Sequence, residues 1–264
     1  MTKNEIINHG WMTDVAVACD DKITVSSDLF ESCITHSDVY NLLYSKPDFT
    51  RENIVLNSDY VADTVISLEG THTLNLNGHT IKNDTEIYNQ DKKIWSLLSV
   101  GKGSDVTIEG NGSVIAKEND CYAIDVKGGK LTVKGGEFNG NISAVYVYEG
   151  EAVIEGGVFK IQQKSNVGPQ DGCAYILNCL DSNYKNKTAK ITVCGGEFHG
   201  FDPAANPEGK NTTYVAEGYE SVEIAPKVWS VQPKAAETVE EIEIPDPVVD
   251  EPVVVDTDPV EPEA

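Results

Sequence analysis

Apolar residues in this chain alternate with polar ones on a two-residue beat, and paired glycines interrupt the beat at intervals near twenty residues. The clearest instance runs through LTVKGGEFNGNISAVYVYEGE at 131–151, after which AVIEGGVF at 152–159 begins the same pattern again. A slide of 21 residues carries Leu131, Val133, Gly135, Gly136 and Phe138 onto Ala152, Ile154, Gly156, Gly157 and Phe159. It also carries AIDVKGGKL at 123–131 onto AVYVYEGEA at 144–152. Short alternating runs at such a period predict stacked coils of β-strand. Alternation sends successive side chains to opposite faces, so each apolar column fills a shared interior.

Five rungs align in this way. The column opening at Leu74 continues with Val106, Leu131, Ala152 and Ile191; two residues on stand Leu76, Ile108, Val133, Ile154 and Val193. The glycine column is Gly78, Gly110, Gly135, Gly156 and Gly195. Three residues past it come Ile81, Phe138, Phe159 and Phe198, while the 106 rung has Ser113 there with Val114 beside it. Glycine suits a corner that needs a positive φ or a backbone too crowded for a side chain. Each rung reads as three short strands, such as LTV, the segment around Phe138, and AVYV. The expected fold is all-β, a single-stranded parallel β-helix with three short strands per rung and about 21–25 residues per coil.

Glycine spacings of 32, 25, 21 and 39 leave excess residues, which the pattern assigns to polar surface loops. These are NDTEIYNQDKK at 83–93, and SNVGPQDG and LDSNYKNK on either side of AYILN at 174–178. The chain divides into an N-terminal cap or attachment segment at 1–52, the coils at 53–200, an aromatic C-terminal cap at 201–233, and a disordered acidic tail at 234–264. In the first, ITVSS at 23–27 alternates like a strand, and Ser37-Asp38 is placed to cap a short helix through Val39, Leu42 and Leu43 before Pro47. The cap is expected to use Phe201, Tyr214, Tyr219 and Trp229. Five prolines and eleven acids, with no aromatic ring and no base over 235–264, make the tail a solvated segment.

Charge narrows the partners. The chain carries 43 acidic and 20 basic residues, a net −23, which argues against nucleic acid. Removing the eleven acids of 235–264 leaves 32 against 20, or −12, for the rest. Residues 1–7 lack the basic start and apolar core of a secretory signal, and no apolar run reaches the ~18 residues of a membrane span. The six cysteines show neither a CxxC pair nor metal-ligand spacing, and are expected to be reduced, small fillers.

Candidate chemistry is sparse. Glu137, Glu197 and His199 follow Gly-Gly corners, and Glu137 and Glu197 share a column with Val158 between them. Two rung spacings separate them by about 9–10 Å, near the upper edge of the ~6.5–9.5 Å of inverting glycosidases. Stacked, solvent-facing glutamates are also the ordinary dress of an acidic surface, and the residues weigh against catalysis. Tyr122, Tyr146, Tyr148 and Tyr175 belong to third-strand segments and offer an outward aromatic stripe for sugar or protein contact, or simply strand-forming residues. Asp125, aligned with Tyr146, is expected to be solvated, and Lys134 with Glu155 to form a cross-strand ion pair. The loops at Asp171–Gly172 and 181–186 lack the spacing of a calcium site, His72 and His79 show no ligand partner, and no motif requires a metal or cofactor.

LNLNGHTI at 74–81 and the repeated GGEF and GGVF turns resemble right-handed parallel β-helix proteins of the pectin-lyase-like superfamily, over about residues 53–200. FDPAANPEGKNTTYVAEGY at 201–219, followed by a Trp-Ser-Val strand, is similar to a closing motif of β-helical structural proteins of phages and prophages of gut bacteria, including head fibres and capsid appendages. The resemblance implies a right-handed winding and a non-enzymatic virion protein, assembled in the host cytoplasm. Its implied partners are capsid or other virion proteins and a host-surface glycan, and fibre proteins of this kind are often homotrimers. A polysaccharide depolymerase, hydrolase or lyase, is the first alternative, although the single arginine, Arg51, precedes the coils where a lyase would need its base. An adhesin-like bacterial interaction protein is the second.

Overall fold

In the computed structural model, which describes residues 46–162 and 175–235 together with the backbone of strands at 15–18, 22–27 and 30–35, most strands stack in parallel. The chain divides into two compact units, Met1–Lys234 and Ala235–Ala264, and the described strands belong to the first. Its opening strands, β1 (Val15–Ala18), β2 (Lys22–Ser27) and β3 (Phe30–Thr35), form an antiparallel meander. The expected strand at 23–27 falls within β2. The helix expected after Ser37, the loop containing Asp171 and the acidic tail lie outside the described residues.

Three ladders follow. The first stacks β4 (Asn53–Val55), β7 (Thr71–Asn75), β10 (Asp105–Glu109), the second halves of β12 (Tyr122–Val133) and β14 (Val145–Ile154), and β17 (Ala189–Val193). The second stacks β5 (Tyr60–Val61), β8 (His79–Lys82), β11 (Gly112–Ile115), β13 (Glu137–Gly140), β15 (Val158–Ile161) and β18 (Glu197–His199). The third stacks β6 (Ile66–Leu68), β9 (Ser96–Val100), the first halves of β12 and β14, and β16 (Leu177–Cys179). The chain visits first, second and third ladder in turn and then starts again, and neighbouring strands within each ladder run parallel.

Register turns sequence columns into a core. Ile54, Leu74, Ile108, Val133, Ile154 and Val193 lie over one another in the first ladder. Ile66, Leu98, Ile124, Val145 and Leu177 do so in the third. In the second, Val114, Phe138, Phe159 and Phe198 are in register, and the Phe rings stack at 5.4 and 5.1 Å. All of these side chains are buried. Each contributes about 1.5–3 kcal/mol over an exposed position, and stacked rings add about 0.5–1.5 kcal/mol.

One expected alignment is corrected. Leu74, not Leu76, pairs with Ile108, and His72 takes the place opposite Val106. Gly78 donates its N–H to Asn111 O rather than standing over Gly110. Leu76 instead fills the interior corner, where a Cβ on Gly136 would come 2.6 Å from its Cδ1. The slip is two residues, which preserves alternation, so the apolar pattern alone cannot reject it. The 106 rung likewise places Val114, not Ser113, in the Phe column.

The paired glycines divide the corner work between them. A Cβ on Gly156 would sit 2.5 Å from Lys134 O, whereas Gly157 has φ +102°. The first allows close stacking of backbones and the second makes the turn.

The C-terminal segment covers the last rung. β20 (Val228–Pro233) pairs antiparallel with β18, setting Trp229 opposite Phe198, and β19 (Tyr219–Ala225) pairs with β20. Phe201 and Tyr214 are buried, and the backbone around Tyr214 and Ala216 bonds to Val193. Among the described residues no helix is long and apolar enough to cross a membrane.

Candidate functional site

The outward side of the second ladder carries Glu137, Val158 and Glu197 in one column. Each acid has its own partner: Glu137 takes Lys160 Nζ at 3.0 Å, and Glu197 bonds His199 Nε2. Val158 stands between them, and Glu137 borders a shallow groove of about 370 Å³ whose walls include Gly112, Gly136 and Gly157. These are two local pairings, one ionic and one a hydrogen bond to a histidine, rather than two carboxyls converging on one reacting atom. On the first ladder, Glu151 pairs with Lys190 Nζ at 2.9 Å, while among the described residues no ion pair joins Lys134 to Glu155.

The third ladder presents a different surface. Its outward column runs Ser99, Asp125, Tyr146, Asn178. Tyr122 stacks on Tyr146 at 4.9 Å and 6°, Tyr146 meets Tyr148 at 4.5 Å, and Tyr148 meets Trp95 at 5.3 Å. Tyr175 takes no part; it is half-buried at the corner two residues ahead of β16. The β12–β14 register jumps from Val126↔Val147 to Lys127↔Glu149, leaving Tyr148 without a cross-strand partner. Such a bulge re-aims a side chain. Asn183 Nδ2, from the short helix Asp181–Lys185, holds the bulge by donating to Tyr148 O at 2.6 Å.

Trp95 arrives from the insertion after β8. Asp120, almost fully buried, anchors that insertion by accepting from Ile87 N at 3.0 Å, Tyr88 N at 2.7 Å and Asn83 Nδ2. At its far end Lys127 Nζ donates to Lys93 O at 3.1 Å and lies 5.3 Å from the Trp95 ring centre. The same ammonium is 3.2 Å from Asp125 Oδ2.

Asp125 is the surprise of the face. It points outward from the strand, yet it is completely buried, because the aromatic cluster and Lys127 crowd over it. Ser99 Oγ donates to its Oδ1 at 2.6 Å, but Oδ2 has only the ion pair with Lys127, without the alignment of a hydrogen bond. Burial pushes the Asp125 carboxyl above its ordinary value, with Lys127, Ser99 and Ser96 pulling the other way. Burial also raises the three phenols: Tyr146 to about 12, Tyr148 upward, and Tyr122 upward against an opposing hydrogen bond from Tyr148. At neutral pH they remain hydrogen-bond donors.

Cys121 and Cys179 are buried free thiols; burial raises both, Cys179 to about 12, which suppresses the nucleophilic thiolate. The segment 181–185 is helical, and among the described residues no cluster of His, Cys, Asp and Glu is arranged to hold a metal ion.

Sequence reasoning identifies Tyr122, Tyr146 and Tyr148, but not Trp95, Tyr88, Lys127 or the buried state of Asp125. The available signal is SLLSV at 96–100, where serines occupy the first and fourth positions of an apolar strand directly after a tryptophan. Compared with known proteins, the chain matches no family model, no curated protein and no solved structure.

Proposed function

We propose that the chain is a single-stranded right-handed parallel β-helix acting as a non-enzymatic structural protein of a phage particle, of the head-fibre or capsid-decoration type. The observation that carries this reading is the column of in-register aliphatic residues from Ile54 to Val193, which makes a stiff scaffold whose outward sides are free to differ. Support also comes from the segment at 201–219, the part that resembles the phage closing motif, which folds against Val193 and buries Phe201 and Tyr214. Immunogold labelling of purified virions with antibody against the chain tests the reading. Gold on the particles is expected; particles free of gold would overturn it.

A depolymerase reading draws on one observation, the Glu137–Val158–Glu197 column with its separation of about 9–10 Å. New reducing ends or unsaturated sugars released from host glycans, and lost in Glu197→Gln, would establish it over the structural role.

A further inference from the structure

We infer that Tyr88, Trp95, Tyr122, Tyr146 and Tyr148 form a surface that binds a short, neutral oligosaccharide. Trp95, Tyr148, Tyr146 and Tyr122 make a continuous run of ring contacts across two rungs and one insertion, and Tyr88 stands on the same insertion as Trp95. Tyr88 is 43% exposed and close enough to act on the Tyr122 phenol, and the other four rings are half-buried.

Size selects the partner. Aromatic side chains bury 150–250 Å² each when covered, so these partly covered rings offer at most about 400 Å². A specific protein interface takes about 800 Å² from each partner. The patch is therefore at most half of what a stable protein contact needs, and it suits a small ligand lying flat. A sugar ring has both apolar C–H faces and hydroxyls, matched here by aromatic carbon, phenolic O–H groups and an indole N–H.

Charge selects among sugars. Carboxylates of Asp181 and Glu208 act on the Tyr146 phenol, while buried Asp125 is already matched by Lys127. The nearest cation, Lys127, is already engaged by Asp125, Lys93 O and the Trp95 ring. A sialic, uronic or sulfated group would meet net repulsion, whereas a neutral sugar would not. The surface is also built before the ligand arrives: Asp120 holds the insertion and Asn183 holds the Tyr148 bulge. Little conformational entropy is then lost on binding. The inference deepens the display reading, resting on it only for where the sugar would be met.

The test uses the purified full chain titrated with neutral oligosaccharides of galactose and N-acetylhexosamine, and with their sialylated and sulfated forms. Saturable binding of at least one neutral sugar is expected, with its acidic form at least tenfold weaker. Trp95→Ala should weaken binding tenfold or more. Tyr88→Ala, at an exposed ring whose loss leaves the packing intact, should weaken it at least threefold, while Lys190→Ala on the first ladder should leave it unchanged. Absence of binding to every neutral sugar, equal or tighter binding of acidic forms, or unchanged affinity in Tyr88→Ala would overturn the inference. So would a protein partner or self-association that Tyr88→Ala abolishes. Unlabelled virions together with sugar binding would defeat the virion reading alone; labelled virions without sugar binding would defeat this inference alone.

Discussion

The outward sides of the second and third ladders are built on the same rungs and over equivalent apolar interiors, yet they handle their acids in opposite ways. On the second ladder Glu137 and Glu197 stay at the surface, each beside a partner of its own. On the third ladder Asp125 is taken out of water beneath aromatic rings, and one of its oxygens lacks a hydrogen bond. Solvated ion pairs contribute little and can be exchanged freely. A buried carboxyl held by one serine and one ammonium works against stability, and such arrangements concentrate at functional sites. Asp120, five residues earlier, sharpens the lesson. It is buried as well, but both its oxygens accept hydrogen bonds from the insertion it secures, which is a structural duty.

Interior substitutions should have the largest effect and should not distinguish the ladders. Phe159→Ala in the second is expected to lose about 3–5 kcal/mol, and Ile124→Ala in the third about 2–5 kcal/mol, by urea unfolding. A large gap between them would mean that the two sides do not share one kind of core. Asp120→Ala should come next, because it strands two buried donors and one partly buried donor, at about 1–3 kcal/mol for each buried one before relaxation. Trp95 fluorescence should shift toward that of an exposed indole as the insertion detaches; an unshifted spectrum would show that Asp120 does not place the aromatic surface.

Asp125→Asn tests the strained carboxyl through pH. Its folded-state pKa is raised, so whatever stability that proton provides is present below the unfolded value near 4 and disappears as pH rises through the folded value. Thermal melts should show the variant gaining on the wild type from about pH 4 upward. A gain of the variant on acidification would refute the assignment. Glu137→Gln, which removes a partly exposed ion pair, should change stability by about 0–1 kcal/mol. A larger loss would mean that the second ladder's acids are not interchangeable surface groups.

Legibility in the sequence tracks the insertions. Between Leu131 and Phe159 the coil has no excess residues, and the 21-residue slide identifies the partners found at Leu131↔Ala152, Val133↔Ile154 and Phe138↔Phe159. Around Leu76 the rungs differ in length, and a two-residue slip survives because alternation is blind to it. The aromatic surface is half visible. Tyr122, Tyr146 and Tyr148 lie on strands, but the residue that completes the cover, Trp95, is delivered by an insertion that periodicity treats as excess. For the same reason Asp125, outward by strand parity, cannot be recognised as buried. Tyr175 misleads because the broken slide after Ile161 hides that it stands before the strand rather than on it.

The most direct test is a side-by-side measurement of binding to a surface coated with neutral mucin-type oligosaccharides, using the wild type, Tyr88→Ala/Tyr148→Ala, and Glu137→Gln/Glu197→Gln. The tyrosine pair should lose at least tenfold in affinity, while the glutamate pair should bind like the wild type. Loss of binding in the glutamate pair with retention in the tyrosine pair would place the working surface on the second ladder and contradict the account.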